Sequence, residues 1–110
     1  MELVIDVYRL TEKFPRTEVY GLINQIRRSS VSIPSNIAEG SARKNTKEYI
    51  CFLYISKGSL LELETQLEIS KRLGYLSESE SELIHQTLIY LYAMLVKLIH
   101  SLQVIQKKVF

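Results

Sequence analysis

The sequence predicts an all-α protein, an antiparallel up-down-up-down four-helix bundle in a single domain over residues 1–110. Three observations lead to this prediction. Apolar residues recur at spacings of three and four, the period of a helix that buries one face. The chain has only 4 Gly and 2 Pro, too few for the turns of a sandwich or barrel. The segments between the periodic stretches are short, which favours antiparallel neighbours.

The first helix is expected over residues 2–13 and should end at Phe14-Pro15, because the residue before a proline is disfavoured in the α region. Thr17 then lies where the N-cap of a second helix would be. Glu18 would lie favourably in the first turn of that helix. We therefore expect the second helix to begin at Thr17.

The second helix should continue to about Gly40, with Pro34 inside it. A mid-helix proline removes one backbone hydrogen bond and clashes with the preceding turn. We expect a kink near Ser30, where the hydroxyl groups of Ser29, Ser30 and Ser32 can bind freed backbone groups. The alternative is a true break, with Pro34 at the first position of a new helix.

The clearest loop between helices covers residues 40–45, and Asn45 or Thr46 can cap the third helix, which should run to Leu73. Gly74 fits the left-handed position just past a helix end. The chain should therefore turn sharply there and enter a fourth helix.

The fourth helix should begin at the capping box of Ser77 and Glu80 and continue to about Gln106. Its apolar arc of roughly 220° is about twice a normal core-facing stripe. One set forms a coiled-coil-like seam: Ile84, Leu88, Leu91, Leu95, Leu98, Leu102 and Ile105. A second set lies on an adjoining face: Ile89, Tyr92, Val96 and Ile99. Because large exposed apolar surfaces usually mark interfaces, we expect this second set to contact another copy of the chain. The alternative is a central, well-buried helix.

Three residues of the third helix are assigned structural roles. Gly58 should let another backbone approach closely in the middle of the helix, despite its cost in helix propensity. Cys51 has neither a paired His nor a CxxC context, so we expect a buried structural thiol. Glu62 falls between largely apolar positions, and a partly buried carboxylate there needs a partner, which Arg27 or Arg28 could supply.

The net charge of +2 conceals a segregation along the chain. Residues 16–47 carry +4, residues 48–82 carry −4, and residues 83–110 carry +3. Five cations of the first segment are candidates for phosphate contacts: Arg27, Arg28, Arg43, Lys44 and Lys47. Guanidinium groups match phosphate geometry, and several cations together give salt-dependent affinity for nucleic acid. The alternative is a solvated face with ion pairs to acids of the third helix.

No catalytic motif is present. A glycine-rich phosphate loop, a nucleophile elbow and zinc-ligand spacings are all missing. Residues 82–85 form one Glu-x-x-His motif of the di-iron type, but the only other histidine, His100, has Lys97 where the second motif needs Glu. We therefore expect no catalytic residues, no metal and no cofactor.

The sequence also bears on where the protein acts. The N-terminal MELVIDVYRL lacks the basic start and apolar core of a signal peptide. The longest apolar stretch, Leu88–Val96, is shorter than the about 20 residues that span a bilayer. A single Cys cannot form an internal disulfide. We expect a cytoplasmic protein without membrane contact.

The chain resembles a known family over nearly its whole length, most specifically in the run SIPSNIAEG. The matching segments are Val7–Pro15, Tyr20–Leu22, Gln25–Arg28, Ser32–Gly40, Gly58–Leu60 and Glu62–Thr65. They resemble the four-helix bundle proteins encoded in intervening sequences of bacterial 23S ribosomal RNA genes. That family is similar to the accessory variability proteins of diversity-generating retroelements. Relatives usually begin with a further segment bearing a Trp, and this chain has no Trp, so we expect a short first helix.

The resemblance implies a ring-shaped homopentamer that binds RNA or DNA, or a nucleic-acid-processing protein, through the five cations named above. It also implies a structural polar network that fixes helix geometry, formed by Asn36, Glu39, Glu62 and Glu64. Our first functional hypothesis is a non-catalytic pentameric accessory protein that binds nucleic acid. The alternative is a protein-protein interaction scaffold with no direct nucleic-acid contact, whose basic surface meets an acidic partner.

Overall fold

The computed structural model describes residues 2–108. Four helices account for most of them: α1 (Glu2–Glu12), α2 (Leu22–Ser41), α3 (Thr46–Arg72) and α4 (Glu78–Lys108). No strand occurs in this range, which confirms the all-α, four-helix prediction. Each helix packs against the next along the chain, so α3 lies between α2 and α4. The molecule is elongated, with extents of 53 × 24 × 19 Å.

The connection between α1 and α2 is longer than the sequence predicted. A short 3-10 turn (Arg16–Glu18) follows Pro15, and α2 begins at Leu22, so the start predicted at Thr17 is wrong. Thr17 belongs to that turn. The N-cap residue Gly21 offers no side-chain acceptor. Instead, Glu18 Oε1 accepts a hydrogen bond from the backbone N–H of Leu22 at 3.4 Å, which satisfies one of the free donors of the first turn.

Helix α2 runs through Pro34 without interruption, so the alternative of a true break there is wrong. Of the three serines near the proline, Ser30 binds a backbone carbonyl of its own helix, that of Arg27, at 2.8 Å. On the other side, Ser56 of α3 donates to the carbonyl of Ile33 at 2.9 Å. Hydrogen bonds from both helices therefore hold the backbone near the proline.

The predicted caps of α3 and α4 are confirmed. Asn45 Oδ1 accepts from the N–H of Glu48 at 2.8 Å. Gly74 has φ 83°, and the amide groups of this turn close back onto the last turn of α3. Ser77 and Glu80 bind each other's backbone N–H through their side chains, at 3.1 and 2.9 Å, as a capping box does.

The core is continuous along the bundle. All four helices and the turns beside them contribute apolar side chains: Leu3, Val7, Phe14, Ile23, Ile26, Ile33, Ile50, Leu53, Leu60, Leu63, Leu67, Leu76, Ile84, Leu88, Leu95 and Ile99. The predicted seam of α4 lies in this core or packs against it from Ile84 to Leu102, whereas Ile105 at its far end is exposed.

The close approach of another helix that was expected at Gly58 occurs instead at Gly40. A Cβ at Gly58 would meet nothing within 4 Å, so that position faces open space in the subunit. A Cβ at Gly40 would lie 2.7 Å from Cβ of Phe52 and 2.9 Å from Cδ1 of Tyr49. The contact between α2 and α3 that leaves no room for a side chain is therefore at Gly40. The prediction of a buried thiol is also wrong, because Cys51 is exposed.

One described helix, α4, is long and apolar enough to cross a membrane by length and composition alone. An 18-residue window within it has a mean hydropathy of 1.7, and 17% of that window is buried. From the sequence, the stretch 88–96 was too short to span a bilayer, and its extension through Lys97 carries the cost of a charged residue, so this longer window was not expected. Core helices of soluble proteins pass the same test.

Candidate nucleic-acid interface and oligomer surface

Three of the predicted cations lie together at the turn between α2 and α3. Arg43, Lys44 and Lys47 are all exposed. The guanidinium of Arg43 lies over the ring of Phe52, 4.7 Å from its centroid, and 3.5 Å from Glu39 Oε2. Lys44 and Lys47 form no ion pair within residues 2–108. This end of the molecule therefore presents positive charge to solvent.

Two further cations, which the sequence analysis did not include, reach the same end. Gln103 of α4 donates to the hydroxyl of Tyr54 in α3 at 3.2 Å, which sets the antiparallel register of the two helices. From that contact, α4 runs about 6 Å further to Lys107, and α3 runs about 10 Å back to Lys47 in the same direction, at 1.5 Å per residue. The basic end consists of Arg43, Lys44, Lys47, Lys107 and Lys108.

Arg27 does not belong to this surface. Its Nε donates to the hydroxyl of Thr11 at 2.9 Å and its Nη2 to the carbonyl of Tyr8 at 3.3 Å. Its guanidinium also lies 4.4 Å from the centroid of the Tyr8 ring. These contacts join α2 to α1, so the prediction of a free phosphate-binding Arg27 is corrected to a structural tie.

Arg28 points to a different face from Arg27, because neighbouring residues on a helix lie about 100° apart. It is exposed and lines a groove between α2 and α3, together with Glu62 and Ser29. Glu62 accepts a hydrogen bond from Ser29 at 2.7 Å and forms no ion pair with either arginine. The predicted pairing of Glu62 with Arg27 or Arg28 is therefore wrong.

The four residues assigned to one polar network make separate contacts. Asn36 donates to the carbonyl and to the hydroxyl of Ser32, at 2.8 and 2.9 Å. Glu39 lies near Arg43, and Glu62 accepts from Ser29. Glu64 Oε2 lies 3.8 Å from Nδ1 of His85 on α4. These pairs link helices or turns locally and are spread along the bundle.

The predicted oligomer surface divides into exposed and buried residues. Ile89 and Val96 are 54% and 42% exposed, and Tyr92 is half-buried. Ile99 is only 4% exposed and belongs to the subunit's own core, so it is not available to a neighbour. The ammonium of Lys57 on α3 lies 5.5 Å from the ring centroids of both Tyr92 and Tyr54.

Helix α3 extends this surface. Tyr54 and Leu61 are 48% and 41% exposed. They share the flank of α3 that carries Lys57, since residues three and four apart lie on one face. We call Tyr54, Leu61, Ile89, Tyr92 and Val96 the apolar side. It is a two-helix surface, formed by α3 and α4.

The opposite end of the molecule is rich in ion pairs. Lys13 pairs with Glu80 across α1 and α4. The hydrogen bond from Arg72 lowers the pKa of Glu68, and the hydrogen bond to Glu78 raises the pKa of Lys71. Lys13, Lys71 and Arg72 at this end each pair with a carboxylate, whereas Lys44 and Lys47 of the basic end form no such pair within residues 2–108.

A cleft of about 640 Å³ lies between α3 and α4 near this ion-paired end. Glu64, Glu68, Glu82 and His85 line it, above a floor that includes Leu88. The half-motif at residues 82–85 therefore faces carboxylates of α3. Within residues 2–108, no group of three or more His, Cys, Asp or Glu side chains could hold a metal ion.

These features define a small helical-bundle protein with a basic end and an apolar side. The chain belongs to the family of 23S rRNA-intervening sequence proteins, whose model matches residues 1–97. Its fold is similar to the crystal structure of a protein of unknown function from the S23 ribosomal protein family of Bacteroides thetaiotaomicron. The TM-score is 0.77, at 24% sequence identity, over 87% of each chain. A comparison with curated proteins finds no match.

Proposed function

We propose that this protein is a non-catalytic, homo-oligomeric accessory protein that binds RNA or DNA through the basic end of its bundle. The observation that carries the proposal is the convergence of five exposed cations from the α2–α3 turn and the end of α4. Within residues 2–108, Arg43 is the one member of this set that forms an ion pair, and an exposed pair of this kind contributes little.

The chemistry of the basic end favours phosphate over base recognition. Four of its five cations are lysines, which act as mobile point charges rather than as readers of base edges. Phosphate contacts position a protein without specifying sequence. We therefore expect binding to structured RNA or DNA with little sequence preference and with a strong dependence on salt.

Oligomerisation completes the proposal. The apolar side is exposed in the subunit, and a ring of subunits would place several basic ends around one axis, which strengthens their combined field. The number five is proposed because the family resemblance implies a homopentamer. The proposal does not include a membrane span by α4, because Leu88, Leu95 and Ile99 of that helix pack in the core of the bundle.

The direct test measures binding of a labelled RNA hairpin and its DNA counterpart across a salt series. For the assembled wild-type protein, log affinity should fall linearly with log salt, with a slope of about −0.7 to −0.9 per phosphate neutralised. The double variant Lys44→Glu/Lys47→Glu should lower affinity about tenfold or more, evenly across sequences, with an unchanged melting temperature.

Arg16→Glu is the matched control for the single variant Lys47→Glu, because each reverses one charge. Arg16 is exposed and lies in the turn after α1, at the opposite end of the bundle. It should retain most of the wild-type affinity if binding is local to the basic end. Equal weakening by Arg16→Glu would contradict a localised site, and no binding at about 50 mM salt by assembled protein would contradict the function itself.

The alternative function is a protein-protein interaction scaffold whose basic end meets an acidic partner. The same five cations support it, because a basic surface steers acidic proteins as well as nucleic acids. The absence of RNA and DNA binding, combined with capture of an acidic protein that the Lys44→Glu/Lys47→Glu variant loses, would establish this alternative.

A further inference from the structure

The groove between α2 and α3 is polar throughout, although it lies at a helix–helix contact. Its volume is about 470 Å³. It is lined by Gln25, Arg28, Ser29, Ser32, Ser59, Glu62 and Gln66. Every one of these side chains can donate or accept a hydrogen bond. The groove is therefore built for a polar occupant.

Gln66 supplies the least satisfied group in this groove. Its side chain is 9% exposed, and its Oε1 has no hydrogen-bond partner within residues 2–108. A buried amide oxygen without a partner is unfavourable, because it has lost water without gaining a donor. Rotation of this side chain towards the groove, where a ligand N–H could bond Oε1, would remove this cost.

A second acceptor lies one helical turn away. Glu62 precedes Gln66 by four residues on α3, so the two side chains are neighbours on one face. Oε1 of Glu62 accepts from Ser29, and Oε2 remains free among the described residues. A carboxylate oxygen beside an unpaired amide oxygen suits an ammonium group, which has three donors.

The serines across the groove retain one unused donor. Ser32 and Ser59 hydroxyls are 2.8 Å apart, and Ser32 Oγ also accepts from Asn36. One hydrogen bond joins the two hydroxyls, so only one of their two hydrogens is used. The other hydroxyl hydrogen has no acceptor within the described chain and can be donated to a ligand.

Arg28 gives the groove its positive charge. Its guanidinium forms no ion pair and no cation–π contact with described residues. With Glu62 it leaves the groove with one cation and one anion. A nucleotide would be repelled by Glu62, and a polyamine would be repelled by Arg28. A small zwitterion satisfies both charges.

We propose that this groove binds a free α-amino acid. The ligand's ammonium group donates to Glu62 and, once the Gln66 side chain rotates towards the groove, to Gln66, and its carboxylate accepts from Arg28 and from the free serine hydroxyl. The site is about 20 Å along α2 from the basic end, at 1.5 Å per residue. The proposals of amino-acid binding and of nucleic-acid binding can therefore be tested independently.

The test measures thermal stabilisation and heats of binding with the standard α-amino acids, each at about 10 mM, a range that detects weak binding. At least one amino acid should raise the melting temperature of the wild-type protein. Its N-acetylated form lacks the ammonium and its amide form lacks the carboxylate, so neither should bind. No stabilisation by any amino acid, or equal binding of the blocked analogues, would overturn the proposal.

Substitutions of the lining residues test whether the amino acid binds in the groove. Glu62→Gln and Arg28→Gln should each weaken amino-acid affinity about tenfold or more, because each removes one charge-assisted contact. Gln66→Leu should weaken it too, while leaving the apolar packing in place. Glu68→Gln, at an exposed position of α3 outside the groove, is the control and should retain binding. Equal affinity in Glu62→Gln and the wild type would overturn the site.

Discussion

At the scale of single residues, Arg27 and Arg28 show that two adjacent residues of the same type can have different roles. An arginine beside another arginine suggests a phosphate contact, and the sequence does not reveal which of the two is occupied. In the fold, Arg27 bonds Thr11 and Tyr8 of α1, whereas Arg28 has no charged partner in the described chain. The difference lies in which helix packs against each face of α2.

Replacement of Arg27 by Met tests this assignment. Arg27→Met keeps the aliphatic stem but removes two hydrogen bonds and a cation–π contact, so it should lower the free energy of unfolding by about 1–2 kcal/mol. Arg28→Met should change it by less than about 0.5 kcal/mol. Urea denaturation of both variants gives the comparison. Lower RNA affinity with unchanged stability in Arg27→Met would instead indicate a phosphate contact.

The two helix-interior glycines give a second prediction. Gly40→Ala should destabilise the protein by about 1–3 kcal/mol, because its Cβ would overlap Phe52 and Tyr49. Gly58→Ala should stabilise the subunit by up to about 1 kcal/mol, since only the propensity gain remains. Chemical denaturation at low protein concentration compares the two. Equal losses would contradict the close approach at Gly40, and lost assembly in Gly58→Ala would place a neighbouring subunit there.

The role of a residue could be predicted from the sequence where its contacts are local, and not where they are made with another helix. Asn45, Gly74 and Ser77 act within four residues of themselves, so sequence spacing alone identified their caps. Gly58 and Glu62 depend on which helix lies opposite, and a helical period does not contain that information. Gln66 carries no sequence signal, because an isolated glutamine on a helix normally lies in solvent.

At the scale of elements, the turns at the ion-paired end are joined by side chains as well as by the chain. Tyr75 follows α3 and stacks at an angle on Phe14, which follows α1, with ring centroids 5.3 Å apart. Its hydroxyl donates to Glu18 Oε2 at 3.0 Å. Glu18 in turn accepts from the first turn of α2. One carboxylate therefore connects the start of α2 with the turn before α4.

This contact predicts a loss of stability at alkaline pH. The hydrogen bond to Glu18 raises the pKa of Tyr75, because it requires the protonated phenol beside a carboxylate. The contribution is therefore complete below the ordinary tyrosine pKa of about 10 and is lost as pH rises through the raised value. Urea denaturation from pH 8 to about 11 should show a steeper fall for the wild type than for Tyr75→Phe. Parallel curves would contradict the coupling.

Element boundaries were predictable where a local cap sets them. The start of α2 was not, because Glu18 caps it from a preceding 3-10 turn and no residue at the N-cap position marks it. Helix α2 also continues through Pro34. The sequence left a kink and a true break open there, because a proline removes one backbone hydrogen bond without deciding whether the helix ends.

At the scale of the whole molecule, charge and hydrophobicity are arranged along different directions. Antiparallel packing brings the end of α4 beside the start of α3, so two cationic segments far apart in sequence meet at one end. The apolar side runs along the flank formed by α3 and α4. Association through this flank therefore leaves the basic end accessible, and the two surfaces can be varied independently.

That independence gives the last prediction. Ile89 and Val96 are exposed in the subunit, so Ile89→Lys/Val96→Lys should leave the helical signal intact and shift the oligomer to monomer. Met94→Lys is the control: it is 49% exposed, but on the other flank of α4, and should stay assembled. Size-exclusion chromatography with light scattering at micromolar concentration gives the masses. A monomeric wild type would contradict assembly, and a stable dimer or tetramer would contradict only the number five. An assembled double variant would show that subunits meet through another surface.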